Sequence, residues 1–414
     1  MKYLVYDTGL FCEQANALWQ KEGDTVWFYS PYINKEPKSA DGLIGKNFEH
    51  LTKVFYFEDY VEKADCIVFF DVLGNDRCNS LRKQYPNKSI WGAGLGERLE
   101  NDRILLKEWC KELELQVSPY IEIKGLKNLE EHLKTHKNKY VKINIFRGDT
   151  ESFFAKDFEY VKMEINRNRF ALGPNEEEFS FIVEDEIKSD VEVGVDTIFN
   201  GTEYVGGFMG YELHKNLYVA KQFKTIEELP ISLYETMDSF KPLFAKMNYR
   251  GAFSTEEKIV DKEHNYFIDA CCRLPNPLSA LYPVMIENWA EVVYKVGKGE
   301  AVELDIKHKY VGAFGLSSLA AKDNYVKVEI DPKYRDKVRY QMVCGGKNGN
   351  YSCPGWEVVA ILVAGGDSVD EVLEGLKEAS KGVDAHFLDK DPLEGIHMIK
   401  DVIKKGKSVG IEFD

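Results

Sequence analysis

The chain has 414 residues, 44% of them apolar and 13% aromatic, and its 54 basic residues against 69 acidic ones give a formal charge of −15. That length suits two or three domains of ordinary size, and the composition excludes a disordered, collagenous or disulfide-stapled chain. The acidic balance argues against a general binder of phosphate backbones, although a local basic pocket can still hold a nucleotide.

The apolar start is broken at Asp7 and no run of about 18 apolar residues follows, so neither a signal peptide nor a membrane span is expected, and the chain reads as cytoplasmic. The eight cysteines form no CxxC knuckle, which reads as reduced thiols. In chain order, the first strand is Lys2-Tyr3-Leu4-Val5-Tyr6, closed by Asp7-Thr8-Gly9. A helical signal covers residues 15–19, and a second strand is Thr25–Tyr29. The apolar runs Ala64-Asp65-Cys66-Ile67-Val68-Phe69-Phe70 and Ser89-Ile90-Trp91 add buried strands. Such strands alternating with helices predict a doubly wound parallel sheet over residues 1–95. Ligands of such a sheet bind beyond the carboxyl ends of its strands, here at residues 7–9 and 71–76.

Residues 103–115 read as a helix, with Leu105, Leu106, Trp109, Cys110 and Leu113 at helical spacing. Between 139 and 270 strands are expected at 140–145, 159–165, 179–184, 192–199, 203–208 and 266–269, with a helical piece at 226–248, so this block reads as antiparallel α+β. The tail from 305 carries more strands and two helices, one opened by the capping box Ser368-Val369-Asp370-Glu371.

The middle block also sets cations and carboxylates in order. Lys142 closes an apolar strand, and the polar turn Arg147-Gly148-Asp149-Thr150-Glu151-Ser152 follows. Glu184-Asp185-Glu186-Ile187 ends one strand, Glu192 opens another, and Glu256 and Asp269 sit on two more, with Arg273 behind them. Taken singly these are a strand-end lysine, a turn, an acidic edge and surface carboxylates. The histidines are scattered, so no zinc site or nucleophile–histidine pair is readable.

This order is similar to that of the ATP-grasp superfamily and, within it, resembles the phosphoribosylamine–glycine ligases over nearly the whole chain. Trp91-Gly92-Ala93-Gly94 and Leu99-Glu100-Asn101-Asp102-Arg103 resemble that family's strand-glycine turn and helix start, and Leu213-His214-Lys215 its DHK motif. Tyr249-Arg250-Gly251-Ala252-Phe253 resembles its YxGxL strand entry, and Phe267-Ile268-Asp269-Ala270-Cys271-Cys272-Arg273-Leu274-Pro275-Asn276-Pro277 the run that ends in its GDP motif. Trp356-Glu357-Val358-Val359-Ala360 resembles part of its C-terminal domain.

The resemblance implies an ATP-grasp fold of α/β and α+β parts. These are an N-terminal doubly wound parallel domain at 1–100, an ATP-grasp domain of two α+β halves enclosing ATP at 101–300, and a small C-terminal α+β domain at 301–414. It implies an ADP-forming carboxylate–amine ligase that works through an acyl phosphate, with ATP and Mg2+ as cofactors. Small-molecule carboxylates and amines are the substrates, with a nucleotide or modified base open as acceptor. By resemblance Arg103 and Lys142 take the phosphate-binding positions, the first normally a lysine, and Arg147, Gly148 and Ser152 belong to a loop over the phosphates. The stretch Glu184, Asp185, Glu186 and Ile187 meets the adenine, Glu192 the ribose, and Glu256 and Asp269 hold magnesium. Arg273 and Lys215 are the implied catalytic residues, Arg273 holding the acyl phosphate.

Three departures bear on chemistry. Cys271 stands where the family has an amide, and magnesium takes hard oxygen donors. Pro275-Asn276-Pro277 replaces GDP, removing a carboxylate. The glycine-rich first turn is Asp7-Thr8-Gly9-Leu10-Phe11-Cys12-Glu13, with no basic residue. These changes predict that the acceptor is not phosphoribosylamine. An ATP-binding homologue without turnover, and the ordinary purine-pathway ligase, are the alternatives.

Overall fold

A computed structural model describes residues 1–31, 43–145, 152–213, 216–262, 264–276 and 278–413. Strands β1 (Lys2–Tyr6), β2 (Thr25–Tyr29), β3 (Leu51–Lys53), β4 (Cys66–Phe69) and β5 (Ser89–Trp91) form a parallel sheet in the order β3-β2-β1-β4-β5. Both faces are covered, which is why its strands are apolar throughout: Tyr3 and Val5 join one core cluster while Leu4, Ile67 and Ile90 join another. The strand order reverses between β1 and β4, so the crevice of this sheet opens at Asp7 and Asp71. The expected helix at 15–19 forms earlier, as Cys12–Asn16.

Strands β6 (Tyr120–Lys124), β7 (Lys139–Ile143), β8 (Ser152–Ala155) and β9 (Ser180–Asp185) make a small antiparallel sheet in the order β6-β9-β7-β8. Val141, Ile143, Phe181 and Val183 point into a core closed by helices Leu126–Thr135 and Phe158–Leu172. By strand alternation Tyr140, Lys142 and Glu184 face the other way. The strand expected at 159–165 is wrong, since those residues lie inside the second helix. Asp157 caps it by accepting from the Tyr160 N–H at 2.9 Å, and Val161, Ile165, Asn168 and Leu172 are buried at helical spacing. Exposed Tyr160, Met163 and Phe170 on the outer face hide that period in the sequence.

Strands β10 (Glu192–Phe199), β11 (Tyr204–Leu213), β12 (Leu217–Phe223), β13 (Gly251–Ile259) and β14 (Asn265–Cys271) form the larger antiparallel sheet. The tail adds β15 (Tyr310–Ser318), β16 (Val326–Ile330), β17 (Val338–Tyr340), β18 (Val343–Gly346), β19 (Gly349–Ser352), β20 (Val358–Gly366), β21 (Val383–Ala385) and β22 (Leu388–Asp389). The large sheet runs β14-β13-β10-β11-β12-β15-β20-β17, with β22 against β15, so strands of the tail continue the sheet of the middle block. The others form a four-stranded sheet, β18-β19-β16-β21.

Leu233, Met237, Phe240 and Phe244 of helix Ile231–Met247 bury one face of β10 and β13. On that face Glu257 is fully buried and accepts from Thr236 Oγ1 at 2.9 Å, Thr255 Oγ1 at 3.1 Å and Asn265 Nδ2. Ser368 accepts from the Glu371 N–H at the head of helix Val369–Ala379, the first half of the expected box, while the Glu371 carboxylate reaches the Asp367 N–H. Arg335 pairs with Glu13 at 2.9 Å and Glu49 at 2.8 Å, tying the tail to the first sheet. Among the described residues no helix is long and apolar enough to cross a membrane.

Candidate active site

A cleft of about 640 Å³ lies between the small sheet and the large one. Alternation aims Tyr140, Lys142 and Glu184 into it from one side and Glu192, Gly194, Asp196, Ser254, Glu256 and Lys258 from the other. The cations are buried. Lys142 donates to the Ile268 carbonyl at 3.1 Å and lies 3.4 Å from Glu184 and 3.7 Å from Asp269. Burial works against its charge, but Asp269 and Glu184 hold the ammonium above its ordinary pKa. Glu184 is also met at 2.5 Å by Lys107, one turn beyond Arg103 on helix Arg103–Glu112. Asp102 caps that helix through the Leu105 N–H, and Arg103 Nη1 donates to the Ile143 carbonyl at 2.8 Å, which joins the helix to β7.

The floor is read in rows. Glu256 faces Asp269 on β14 and Gly194 on β10. Burial first, and then Glu212, Asp269 and Glu192, push the Glu256 carboxyl up to about 8, with Lys142 pulling it back. One row on, Ser254 faces Cys271 and Asp196. Burial pushes Asp196 up to about 6 against the hydroxyls of Ser254 and Tyr218. Register places Cys271 one row along the same face from the Glu256–Asp269 pair, and its Sγ donates to the Arg273 carbonyl at 3.8 Å.

At the far end Arg273 Nε donates to Glu100 at 2.9 Å and lies 3.6 Å from Asp71, beside the crevice of the parallel sheet. Burial lowers this guanidinium, but Cys271, Glu100 and Asp71 raise it well above its ordinary value. Thr8 donates to Asp71, and Asp7 accepts from the Gly9 and Phe11 N–H groups at 2.7 and 3.2 Å.

Of the residues singled out in the sequence, Arg103, Lys142, Ser152, Glu184, Asp185, Ile187, Glu192, Glu256, Asp269 and Arg273 all line this one cleft. Glu186 does not: it is exposed beside it. Arg147, Gly148 and Lys215 lie outside the described residues. The Asp185 N–H is bonded to the Pro119 carbonyl, and its carbonyl accepts from the Ser118 hydroxyl, which leaves that oxygen a second lone pair for a further donor. Sequence reasoning missed the roles of Lys107, Glu100, Asp196 and Tyr218. Lys107 follows Arg103 by one helical turn, and Asp196 shares the parity of Glu192, so both carried a local signal.

Magnesium suits this donor set in part. Among the described residues no group of three or more His, Cys, Asp or Glu is arranged to hold a metal. Magnesium in phosphate sites usually takes only one or two carboxylates, the rest of its shell being water and phosphate oxygen. The Glu256–Asp269 pair, opposite each other in register, offers two carboxylates whose mutual repulsion a cation would relieve.

No model of a protein family matches the sequence, and no curated protein does. Solved structures do. The phosphoribosylamine–glycine ligase of Thermotoga maritima is 14% identical and aligns over 94% of this chain and 98% of its own, with a TM-score of 0.65. The biotin carboxylase of Campylobacter jejuni, in complex with β-γ-ATP, is 15% identical over 97% and 96%, with a TM-score of 0.66. The biotin carboxylase domain of the Hydrogenobacter thermophilus 2-oxoglutarate carboxylase, in complex with MgADP, ADP and bicarbonate, is 14% identical over 100% and 96%, again at 0.66. All three are ATP-grasp enzymes.

Proposed function

We propose that this chain, which has the ATP-grasp fold, is an ATP-dependent ligase that activates a carboxylate as its acyl phosphate and transfers the acyl group to an amine. The observation that carries the reading is one cleft with buried Arg103 and Lys142 on one wall and the Glu256–Asp269 pair on the other, ending at Arg273. Two of the similar structures hold an adenine nucleotide, which supports ATP as the ligand of that cleft.

Arg103 and Lys142 bind the phosphates, and the backbone of Asp185 to Ile187 carries the adenine contact, with Glu192 at the ribose. Glu256 and Asp269 hold magnesium, which when bound offsets charge on the phosphates. Arg273, fixed by Glu100 and Asp71, holds the carboxylate and then its acyl phosphate. Positioning and charge do the work, and no covalent enzyme nucleophile is required. The first turn, Asp7 to Glu13, offers a phosphate-bearing acceptor no basic side chain, so such an acceptor lacks an anchor there.

The test is in two parts. ATP with magnesium should raise the melting temperature, since a ligand of the folded state stabilises it. ADP release should then be screened with panels of carboxylates and amines. No thermal shift at millimolar nucleotide refutes the reading.

A further inference from the structure

The assignments above leave Asp196 without a role, although it lines the cleft in the row between the Glu256–Asp269 pair and Arg273. It is only 3% exposed, so it is not a solvated surface carboxylate. Its neighbours come from four elements. In register it faces Ser254 on β13 and Phe208 on β11. From β12, Tyr218 leans across Gly210 and donates its hydroxyl to Asp196 Oδ2 at 2.5 Å. A side chain at Gly210 would collide with that ring, so the strand must be bare there for the pair to form. Tyr282, whose ring centre lies 5.7 Å from that of Phe208, is fully buried, and its hydroxyl has no hydrogen-bond partner among the described residues.

Among the described residues Asp196 is held by the Tyr218 hydroxyl and by no cation. A buried carboxylate held this way is unfavourable. An incoming group that carries positive charge and several N–H donors satisfies it.

We propose that Asp196, positioned by Tyr218, receives the amine substrate as its ammonium ion and takes the proton that the nitrogen loses before it attacks. The proposal rests on the ligase reading. The proton passes from the ammonium to the Asp196 carboxylate, giving a neutral amine and a carboxylic acid. The nitrogen lone pair then forms the bond to the acyl carbon. The carbon–oxygen bond to phosphate breaks, and phosphate leaves with that electron pair and the second nitrogen-bound proton. Charge is balanced and no further reactant enters.

Hydroxylamine is uncharged at neutral pH and needs no such base, whereas methylamine is protonated, so the two nucleophiles separate this role from folding. The full chain with ATP and magnesium is supplied with the twenty amino acids and a set of mono- and dicarboxylic acids. Each is paired with hydroxylamine, read as the hydroxamate, or with methylamine, read as ADP release and the amide. In Asp196→Asn the ratio of methylamine to hydroxylamine rates should fall by about a hundredfold, the usual scale of general base catalysis. Asp196→Glu should recover part of that ratio, and Tyr218→Phe should lower it less. Equal losses with both nucleophiles, or no loss, overturn the proposal and leave the ligase reading standing. A wild type that uses hydroxylamine but not methylamine also overturns it. No hydroxamate from the wild type with any carboxylate refutes the ligase reading and the proposal together.

Discussion

Replacing Lys142 by alanine separates its two jobs. Without nucleotide the ammonium bridges Glu184, Asp269 and the Ile268 carbonyl. Glu184 keeps Lys107 at 2.5 Å after the change, and Asp269 is the more exposed of the two carboxylates, so neither becomes an isolated buried charge. The loss of stability should therefore stay near that of one charged hydrogen bond, about 1.5–3 kcal/mol, and below the 3–5 kcal/mol of a buried pair stripped of its partner. Nucleotide binding loses a contact of the same kind. At about 1.4 kcal/mol per factor of ten, the Kd for ATP with magnesium should rise by about ten- to a hundredfold. Isothermal titration at a temperature where the variant is fully folded measures the second effect, and urea denaturation without nucleotide the first. An unchanged Kd beside a lowered stability would make Lys142 a structural residue and refute its place on the phosphates.

Asp269→Asn should leave ATP affinity within about threefold while ADP release falls, because charge at the metal matters most as the phosphoryl group transfers; wild-type turnover would remove Asp269 from the metal. Gly210→Ala should displace Tyr218 from Asp196 and destabilise by about 1–3 kcal/mol through overpacking, seen as a lower melting temperature. Burial, then Asp71, pushes Asp7 up from 3.8 to about 7, so the folded state binds this proton more tightly than the unfolded chain does. Its contribution to stability is full below the lower value and is lost as pH rises towards 7, and Asp7→Asn should flatten that slope in urea titrations at pH 4.5 and 7.5. With ATP, glycine and fresh phosphoribosylamine the protein should form no glycinamide ribonucleotide; robust formation would show that the acidic first turn does not matter.

Where a local rule decides structure, the sequence was legible. Continuous apolar runs such as Cys66–Phe69 marked the parallel sheet, because strands covered on both faces need no polar side. Lys142, Glu192 and Asp269 were legible as an ordered set by resemblance. The helix Phe158–Leu172 was not, because Tyr160, Met163 and Phe170 put apolar letters on its exposed side and blurred the period. Asp157 three residues before Tyr160 was the available cue. The Glu100–Arg273 pair and the Tyr218–Asp196 contact depend on tertiary placement and strand register, joining residues far apart in the chain.

The continuation of the large sheet into the tail has a practical result. Strand β15 bonds along β12 from Lys221 to Leu217, and Ala313 lies opposite Tyr218. The last part of the chain is thus a brace for the strand that carries Tyr218. A shortened protein ending before Tyr310 would leave β12 with a row of open N–H and C=O groups, the kind of edge that recruits other chains. Such a truncation should give aggregates in place of a minimal folded unit, so the cleft-bearing part of this protein has to be studied with its tail attached.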